Sequence, residues 1–88
     1  MRLVFSDQAW EDYQYWVSTN DKVRDRINEL IKQCKRTPFK GTGKPEPLKG
    51  DLTGWWSRRI SREDRMVYRV SGTGDSQSLE IAQLRFHY

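Results

Sequence analysis

The pattern of apolar and polar residues predicts a helix close to the start of the chain. Its apolar side chains recur at helical spacing, and they are Trp10, Tyr13, Trp16 and Val17. Ser6 precedes them and can cap the helix through its hydroxyl oxygen. The acidic side chains that suit the positive end of the helix dipole are Asp7, Glu11 and Asp12. We therefore expect a first helix over residues 7–18, after a short strand at residues 2–5.

A second amphipathic helix follows a polar break at residues 19–21. Its apolar positions fall at i, i+4, i+7, i+8 and i+11, and they are Val23, Ile27, Leu30, Ile31 and Cys34. Pro38 requires this helix to end before it. The opposite face is basic, which is typical of a solvated surface, with nucleic-acid binding as the alternative. Its members are Lys22, Arg24, Lys32, Lys35 and Arg36.

The second half of the chain has the shorter apolar runs of strands. Residues 39–54 hold four of the six glycines and two of the three prolines, which predicts an ordered surface loop. Residues 55–60 and 65–70 are expected to form a hairpin, and a third strand over residues 79–86 follows a flexible link at 71–78. The apolar positions of this last strand change parity midway, which indicates either burial on both faces or a bulge. The predicted fold class is α+β, with two N-terminal helices packed on a mainly antiparallel sheet.

Length and charge limit the class of protein. The 88 residues suffice for a single domain with a modest core. The net charge of +4, from 16 Lys and Arg against 12 Asp and Glu, suits a polyanion or an acidic protein as partner. The longest apolar run has three residues, against about 20 for a bilayer span, so we expect no membrane segment, no signal peptide and a cytoplasmic location. The only cysteine, Cys34, excludes an internal disulfide and is expected to be a buried thiol.

One basic stretch, residues 41–65, is the best candidate for chemistry. It reads G-T-G-K-P-E-P-L-K-G-D-L-T-G-W-W-S-R-R-I-S-R-E-D-R, and the only histidine of the chain is the second-to-last residue. Cleavage of RNA without a metal uses the adjacent 2′-hydroxyl as nucleophile and needs a base, an acid and cations for the phosphate. The side chains that can fill these roles are Glu46, His87, Lys49, Arg59 and Arg65.

Each of these residues also has a plainer explanation. Glu46 can merely balance the neighbouring lysines, and His87 can be an idle tail residue. Arg59 and Arg65 can be surface charges on adjacent strands, because a shared phosphate site would require both on the same face. A plain four-residue turn at residues 61–64 would put them on opposite faces, so a shared site predicts a connection of odd length or a bulge.

Several motifs of the chain match the pattern of a known toxin family. They are G-K-P-E-P-L-K-G-D-L-T-G-W-W-S-R-R-I at residues 43–60, D-R-M-V-Y at residues 64–68 and the terminal H-Y. The chain resembles the YoeB/Txe toxins of the RelE superfamily, whose pattern is close to G-K-P-E-P-L-K-x-x-L-S-G-x-W-S-R-R-I, with R-L-V-Y and a terminal H-Y. The N-terminal S-D-Q-A-W-E-D-Y-Q-Y-W and the later I-N-E-L-I-K also match, so the resemblance covers nearly the whole chain. Two departures are a longer link at residues 71–78 and Asp64, where relatives often have histidine.

The resemblance implies a RelE-like fold and a ribosome-dependent messenger-RNA endonuclease that a co-expressed acidic antitoxin holds inactive. The implied partners are therefore the ribosome, messenger RNA and the antitoxin, with no cofactor and no metal, and a homodimer stays open. Two alternatives belong to other classes. One is a basic module that binds RNA or an acidic protein without catalysis, and the other is a corepressor that acts on DNA together with its antitoxin.

The resemblance also implies roles for individual residues. By position, Glu46 would be the general base, His87 the general acid and Arg65 the main phosphate clamp. Further charge or substrate orientation would come from Lys49, Arg59 and Tyr88. Ribosome binding is the rival explanation for the lysine and for Arg59. We expect strand pairing up to about Phe86 to hold the terminal histidine in place.

Overall fold

The computed structural model describes residues 1–87 as two α-helices packed on a five-stranded sheet. The strands are β1 (Arg2–Phe5), β2 (Glu46–Pro47), β3 (Trp56–Arg59), β4 (Arg65–Ser71) and β5 (Ser78–Gln83). The helices are α1 (Asp7–Thr19) and α2 (Asp21–Arg36). The strand order is β1-β5-β4-β3-β2, in which β1 is parallel to β5 and the other pairs are antiparallel. The predicted fold class is confirmed.

Side-chain caps explain where the two helices begin. Ser6 Oγ accepts a hydrogen bond from the backbone N–H of Ala9 at 3.0 Å, as predicted. Asn20 Oδ1 accepts from the N–H of Val23 at 3.1 Å and so starts α2. Asn20 also closes α1, because its own N–H donates to the carbonyl oxygen of Trp16. One asparagine therefore ends the first helix and begins the second.

The apolar face of α2 lies at the centre of the core, as its periodicity predicts. Ile27, Leu30 and Cys34 have no exposed surface. Their partners from the sheet are Met66, Tyr68, Leu79 and Ile81. Burial raises the pKa of the Cys34 thiol. The thiol therefore stays protonated at neutral pH and behaves as a small apolar group.

The inward face of α1 differs from the predicted one. Trp10 and Val17 are 52% and 44% exposed, while the buried residues are Ala9, Asp12 and Trp16. Asp12 occupies a core position instead of lying in the helix-dipole region that we expected. Its carboxylate accepts hydrogen bonds there, including one from the backbone N–H of Leu84 at 2.9 Å. Such bonds offset the cost of removing a carboxylate from water.

The predicted loop at residues 39–54 contains an unexpected strand, β2. Glu46 pairs with Ser57 of β3, and Pro47 pairs with Trp56. Because β2 is at the edge of the sheet, a proline there does not interrupt a ladder on both sides. The two prolines that mark this segment as a loop are therefore compatible with a short edge strand.

Arg58 of β3 holds the segment after α2 against the sheet. Its side chain has no exposed surface, although it carries a charge. The guanidinium donates to three backbone oxygens at 2.5 to 3.1 Å, those of Thr37, Lys40 and Thr42. Its Nε also donates to the hydroxyl of Tyr68 at 3.3 Å. Burial raises the pKa of Tyr68 to about 12, and the protonated phenol donates to the carbonyl oxygen of Pro38 at 2.6 Å.

The last strand contains a bulge, one of the two alternatives that its change of parity left open, and it ends earlier than predicted. Val67 of β4 is opposite Gln83, whereas Tyr68 is opposite Ile81, so Ala82 has no partner. This extra residue reverses the parity of the positions that follow. The strand then stops at Gln83 and does not reach position 86. Residues 84–87 lie outside the ladder of the sheet.

The link between β4 and β5 is shorter than the expected 71–78. Ser71 and Ser78 belong to the strands and pair with each other. A single 3₁₀ turn, Gly74–Ser76, makes up half of the remaining connection, residues 72–77. Neither helix in the described part of the chain combines the length and the apolar character that crossing a membrane would need.

Candidate functional site

The β3–β4 hairpin places Arg59 and Arg65 directly opposite each other. Their connection, residues 60–64, has an odd number of residues. It is closed by a hydrogen bond from the N–H of Ile60 to the carbonyl oxygen of Asp64 at 3.0 Å. Because opposed residues share a face of the sheet, the two arginines lie on one face. The odd connection that a shared site requires is confirmed.

Glu46 lies on the same face as the two arginines. It is opposite Ser57, and Ser57 is two positions before Arg59 on the same strand. Two strand spacings and two residues separate the backbones of Glu46 and Arg65, which is roughly 10 Å across the sheet and 7 Å along it. The residues of the other parity, such as Met66, pack into the core under the helices. We call the face that carries Glu46 and the two arginines the open face.

The guanidinium of Arg65 is anchored at one end. Its Nη1 donates to three carbonyl oxygens of the β3–β4 connection at 2.8 to 3.2 Å, those of Ser61, Arg62 and Asp64. Within residues 1–87, Nε and Nη2 donate to no acceptor. The anchored nitrogen restricts the orientation of the group, so its other donors can meet a planar or tetrahedral anion with little loss of freedom.

The end of the chain returns to Arg65. The backbone N–H of Arg65 donates to the carbonyl oxygen of Phe86 at 3.1 Å, and Asp64 Oδ1 accepts from the N–H of Phe86 at 2.7 Å. His87 is the next residue, so it is joined to the hairpin end that carries Arg65. The expectation that strand pairing up to Phe86 holds His87 is wrong, because β5 ends at Gln83. Bonds from the hairpin end replace the ladder.

His87 is exposed and lines an open cleft of about 350 Å³. The other lining residues are Gln8, Asp12, Gln83, Arg85 and Phe86. The strand order puts β2 with Glu46 on the far side of the hairpin from this cleft. The two arginines therefore lie between the glutamate and the end of the chain.

Two predicted site residues remain, Lys49 and Tyr88. Lys49 is exposed and precedes a 3₁₀ turn, Gly50–Leu52, three positions after Glu46. Its carbonyl oxygen accepts from the N–H of Leu52 at 3.2 Å, which anchors the backbone near β2. Tyr88, expected to orient substrate, lies outside the described residues.

Candidate metal ligands do not cluster in the part of the chain that the structure describes. Among residues 1–87, His, Cys, Asp and Glu side chains form no group of three or more that could hold a metal ion. The groups that Glu46, Arg59, Arg65 and His87 provide are one carboxylate, two guanidinium groups and one imidazole. These are suited to proton transfer and to stabilising negative charge.

The residues that hold the end of the chain carry only a weak signal in the sequence. The N–H of Leu84 donates to Asp12, and the carbonyl oxygen of Leu84 accepts from Trp16 Nε1 at 2.8 Å. Asp12 and Trp16 are four positions apart and therefore lie on the same side of α1. The sequence feature that indicates a buried carboxylate is an acidic residue on the same side of the helix as a buried apolar residue.

Comparison with known proteins gives the same family as the sequence motifs. The sequence profile of a family described as the YoeB-like toxin of bacterial type II toxin–antitoxin systems matches residues 5–88. Toxin YoeB of Escherichia coli K12 is 52% identical over 88 residues, which is the full length of both chains. The structure of a YoeB/ParE toxin from Agrobacterium tumefaciens has a TM-score of 0.96 and 57% identity, and all of each chain is covered.

A relative from Staphylococcus aureus has been solved in two assemblies. In a YoeB-YefM complex it has 45% identity and a TM-score of 0.87, and as a YoeB dimer it has 44% identity and a TM-score of 0.86. Each match covers 100% of this chain and 98% of the other. Fold and sequence together define the toxin component of a type II toxin–antitoxin pair, within the RelE superfamily. The chain belongs to the YoeB-like family of these toxins.

Proposed function

We propose that this toxin is a ribosome-dependent endoribonuclease that cleaves messenger RNA and so inhibits translation. The observation that carries the proposal is the order of these positions along the backbone pairing of the sheet. Arg59 and Arg65 are opposed in the hairpin, with Glu46 on one side and the chain end that bears His87 on the other. A phosphate held by the arginines would have a base on one side and an acid on the other.

The reaction needs no nucleophile from the protein. Glu46 takes the proton of the ribose 2′-hydroxyl, and the 2′-oxygen attacks the adjacent phosphorus. The bond from phosphorus to the 5′-oxygen breaks, and His87 gives its proton to that oxygen. The products are a 2′,3′-cyclic phosphate and a 5′-hydroxyl, so every proton is accounted for.

The cations stabilise the crowded phosphate of the transition state. Arg65 has this role first, because its anchored guanidinium is already oriented when the RNA arrives. Arg59 and Lys49 add charge at the phosphate or bind the ribosome. Tyr88 orients the substrate.

The exposure of the site supports a requirement for the ribosome. The candidate site residues Glu46, Arg59 and His87 are exposed. The cleft beside His87, at about 350 Å³, is small for a nucleotide chain. Such a surface does not by itself hold a flexible RNA in the geometry for in-line attack. The ribosome supplies the fixed messenger strand, and its location places the toxin in the cytoplasm.

We also propose an acidic antitoxin as the regulatory partner. The Staphylococcus aureus relative is found with YefM, and the net charge of +4 of this chain favours an acidic protein. The antitoxin would fold on the basic surface and cover the region of Glu46 and Arg65. Because the same relative has been solved as a dimer, we propose that the free toxin is a homodimer.

The test is translation of a short reporter message on purified ribosomes, followed by mapping of the cut sites. A message with 2′-deoxyribose at the cut position should stay intact, because the nucleophile is missing. The matched control carries the deoxy substitution one nucleotide downstream and should be cut at the normal rate. Undiminished cutting of the first message would contradict the mechanism. Messages that stay intact while the toxin sediments with ribosomes would instead identify a binding module.

A further inference from the structure

Residues 84–86 are held by hydrogen bonds from α1 and from the β3–β4 hairpin, after the pairing of β5 has ended. Beyond β5, both backbone groups of Leu84 are bonded to α1, through Asp12 Oδ2 and Trp16 Nε1. Both backbone groups of Phe86 are bonded to the hairpin, its N–H to Asp64 Oδ1 at 2.7 Å and its carbonyl oxygen to the N–H of Arg65 at 3.1 Å. Leu84 and Phe86 are therefore each held by hydrogen bonds to other elements of the fold.

The conformation of Phe86 indicates that these bonds determine the path of the chain. Its φ is +67°, a left-handed conformation that residues other than glycine rarely adopt. Such a conformation persists only where the surroundings require it. The side chain of Phe86 is 61% exposed and offers little packing, so the bonds to its backbone are the main constraint.

The carboxylate of Asp64 is itself oriented before it meets Phe86. Its Oδ2 accepts from Ser61 Oγ at 3.0 Å, and the same Oγ accepts from the N–H of Asp64 at 3.2 Å. A third bond, from the N–H of Glu63 to Ser61 Oγ at 3.3 Å, completes the turn. These local hydrogen bonds orient the carboxylate so that Oδ1 faces the N–H of Phe86.

We propose that Asp64 is a positioning residue that directs His87 toward the phosphate bound by Arg65. Asp64 and Arg65 are consecutive, and together they hold the N–H and the carbonyl oxygen of the residue just before His87. The inference rests on the proposed function, in which His87 is the general acid. It gives a role to position 64, where this chain has aspartate and relatives often have histidine.

The expected effect follows from how steeply proton transfer depends on geometry. A displacement of about 1 Å in a reacting group can cost about 10²-fold in rate. Asp64→Ala should therefore lower kcat for message cleavage about 10- to 100-fold. KM for programmed ribosomes should stay within about twofold of wild type, because Asp64 does not bind substrate in this scheme.

Two further variants separate positioning from charge. Asp64→Asn keeps a side-chain oxygen that can accept from the N–H of Phe86, so it should retain most of the activity. Glu63→Ala removes the same charge from the same turn and should cleave at the wild-type rate. Equal losses in the asparagine and alanine variants would contradict the hydrogen-bonding role of Asp64.

A double-mutant cycle tests whether Asp64 acts through His87. In a His87→Ala background, Asp64→Ala should cause no further loss, since the group that it positions is gone. A further 10- to 100-fold loss in the double variant would overturn the proposal. If His87→Ala alone cleaves at the wild-type rate, the acid role in the proposed function fails and this inference fails with it. If His87→Ala is impaired but folded Asp64→Ala is not, only the role of Asp64 is wrong.

Hydrogen exchange gives a measurement that needs no active variant. The amide of Phe86 should be protected in the wild-type toxin and should exchange faster in Asp64→Ala. The amide of Leu84, which is bonded to Asp12, should stay protected in both proteins. An amide of Phe86 that exchanges in wild type as fast as in an unstructured peptide would overturn the proposal, even if the alanine variant does not fold.

Discussion

Two adjacent arginines of β3 show how differently the two faces of the sheet are used. Arg58 points into the helix-covered face, has no exposed surface and donates to three backbone oxygens and a tyrosine hydroxyl. Arg59 points to the open face, is exposed and lies opposite Arg65. Strand alternation thus places one of two identical side chains in the core and the other at the candidate site.

The difference between the faces separates stability from chemistry. On the covered face, the hydrogen bonds of Arg58 offset the cost of burying its charge, and they hold the segment after α2 against the sheet. On the open face, charged groups remain exposed and can meet a substrate. The comparison therefore predicts that substitutions of the exposed charged residues on the open face change activity with little effect on folding, and that the reverse holds for Arg58 on the covered face.

The largest expected effect is on the rate of message cleavage, at Glu46 of the open face and at His87 near the chain end. Glu46→Ala and His87→Ala should each lower the rate about 10²- to 10⁴-fold, the usual range for a positioned base or acid. Both side chains are exposed, so both variants should melt within a few degrees of wild type. Cleavage on ribosomes and thermal unfolding measure the two quantities. Cleavage at the wild-type rate by a folded His87→Ala variant would assign the acid role to another group.

The next largest effect is on folding, at Arg58. Arg58→Ala would remove the donor from three part-buried carbonyl oxygens and from the buried Tyr68 hydroxyl, and it would leave a cavity in the core, so it should lower the free energy of unfolding by about 3 to 5 kcal/mol. Arg59→Ala, its neighbour on the open face, should change it by less than about 0.5 kcal/mol. Urea denaturation monitored by tryptophan fluorescence compares the two variants.

A further variant covers the case in which Arg58→Ala does not fold. Arg58→Lys keeps the charge but lacks the planar set of donors, so its stability should fall between wild type and the alanine variant. Similar stabilities for Arg58→Lys and Arg59→Lys would contradict the division between the two faces.

The smallest expected effect concerns Glu80 of β5, which pairs with Arg69. The hydroxyl of Ser71, and after it the guanidinium of Arg69, lowers the pKa of Glu80. A carboxyl with a lowered pKa stabilises the fold above the unfolded pKa of about 4.3, and this contribution is lost as the pH falls through the folded pKa. Solvent screening limits it to less than about 0.5 kcal/mol.

Urea denaturation between pH 7 and pH 3 checks this contribution. The difference in unfolding free energy between wild type and Glu80→Gln should be small at pH 7 and should vanish in acid. Ser71→Ala removes the main cause of the lowered pKa and should reduce the difference. A difference that grows as the pH falls would contradict the sign of the effect.

The features that follow from local pattern were predictable from the sequence. The core face of α2 follows from helical spacing, and the cap at Ser6 follows from the chemistry of its hydroxyl. The parity change in the last strand indicated either burial on both faces or a bulge, and the pairing at Val67 and Tyr68 contains the bulge. The family motifs identified the toxin class and the candidate site residues. For the helix face, the cap and the bulge, the information lies within a few neighbouring positions.

Tertiary structure alone decided how distant segments meet. The parallel pairing of β1 with β5, and the edge strand that carries Glu46, depend on the whole sheet. The bonds from Asp12 to Leu84 and from Asp64 to Phe86 join positions 72 and 22 residues apart. No local periodicity encodes such contacts, because a carboxylate looks the same in sequence whether it faces water or a backbone N–H. Burial and the partner across the fold determine its role.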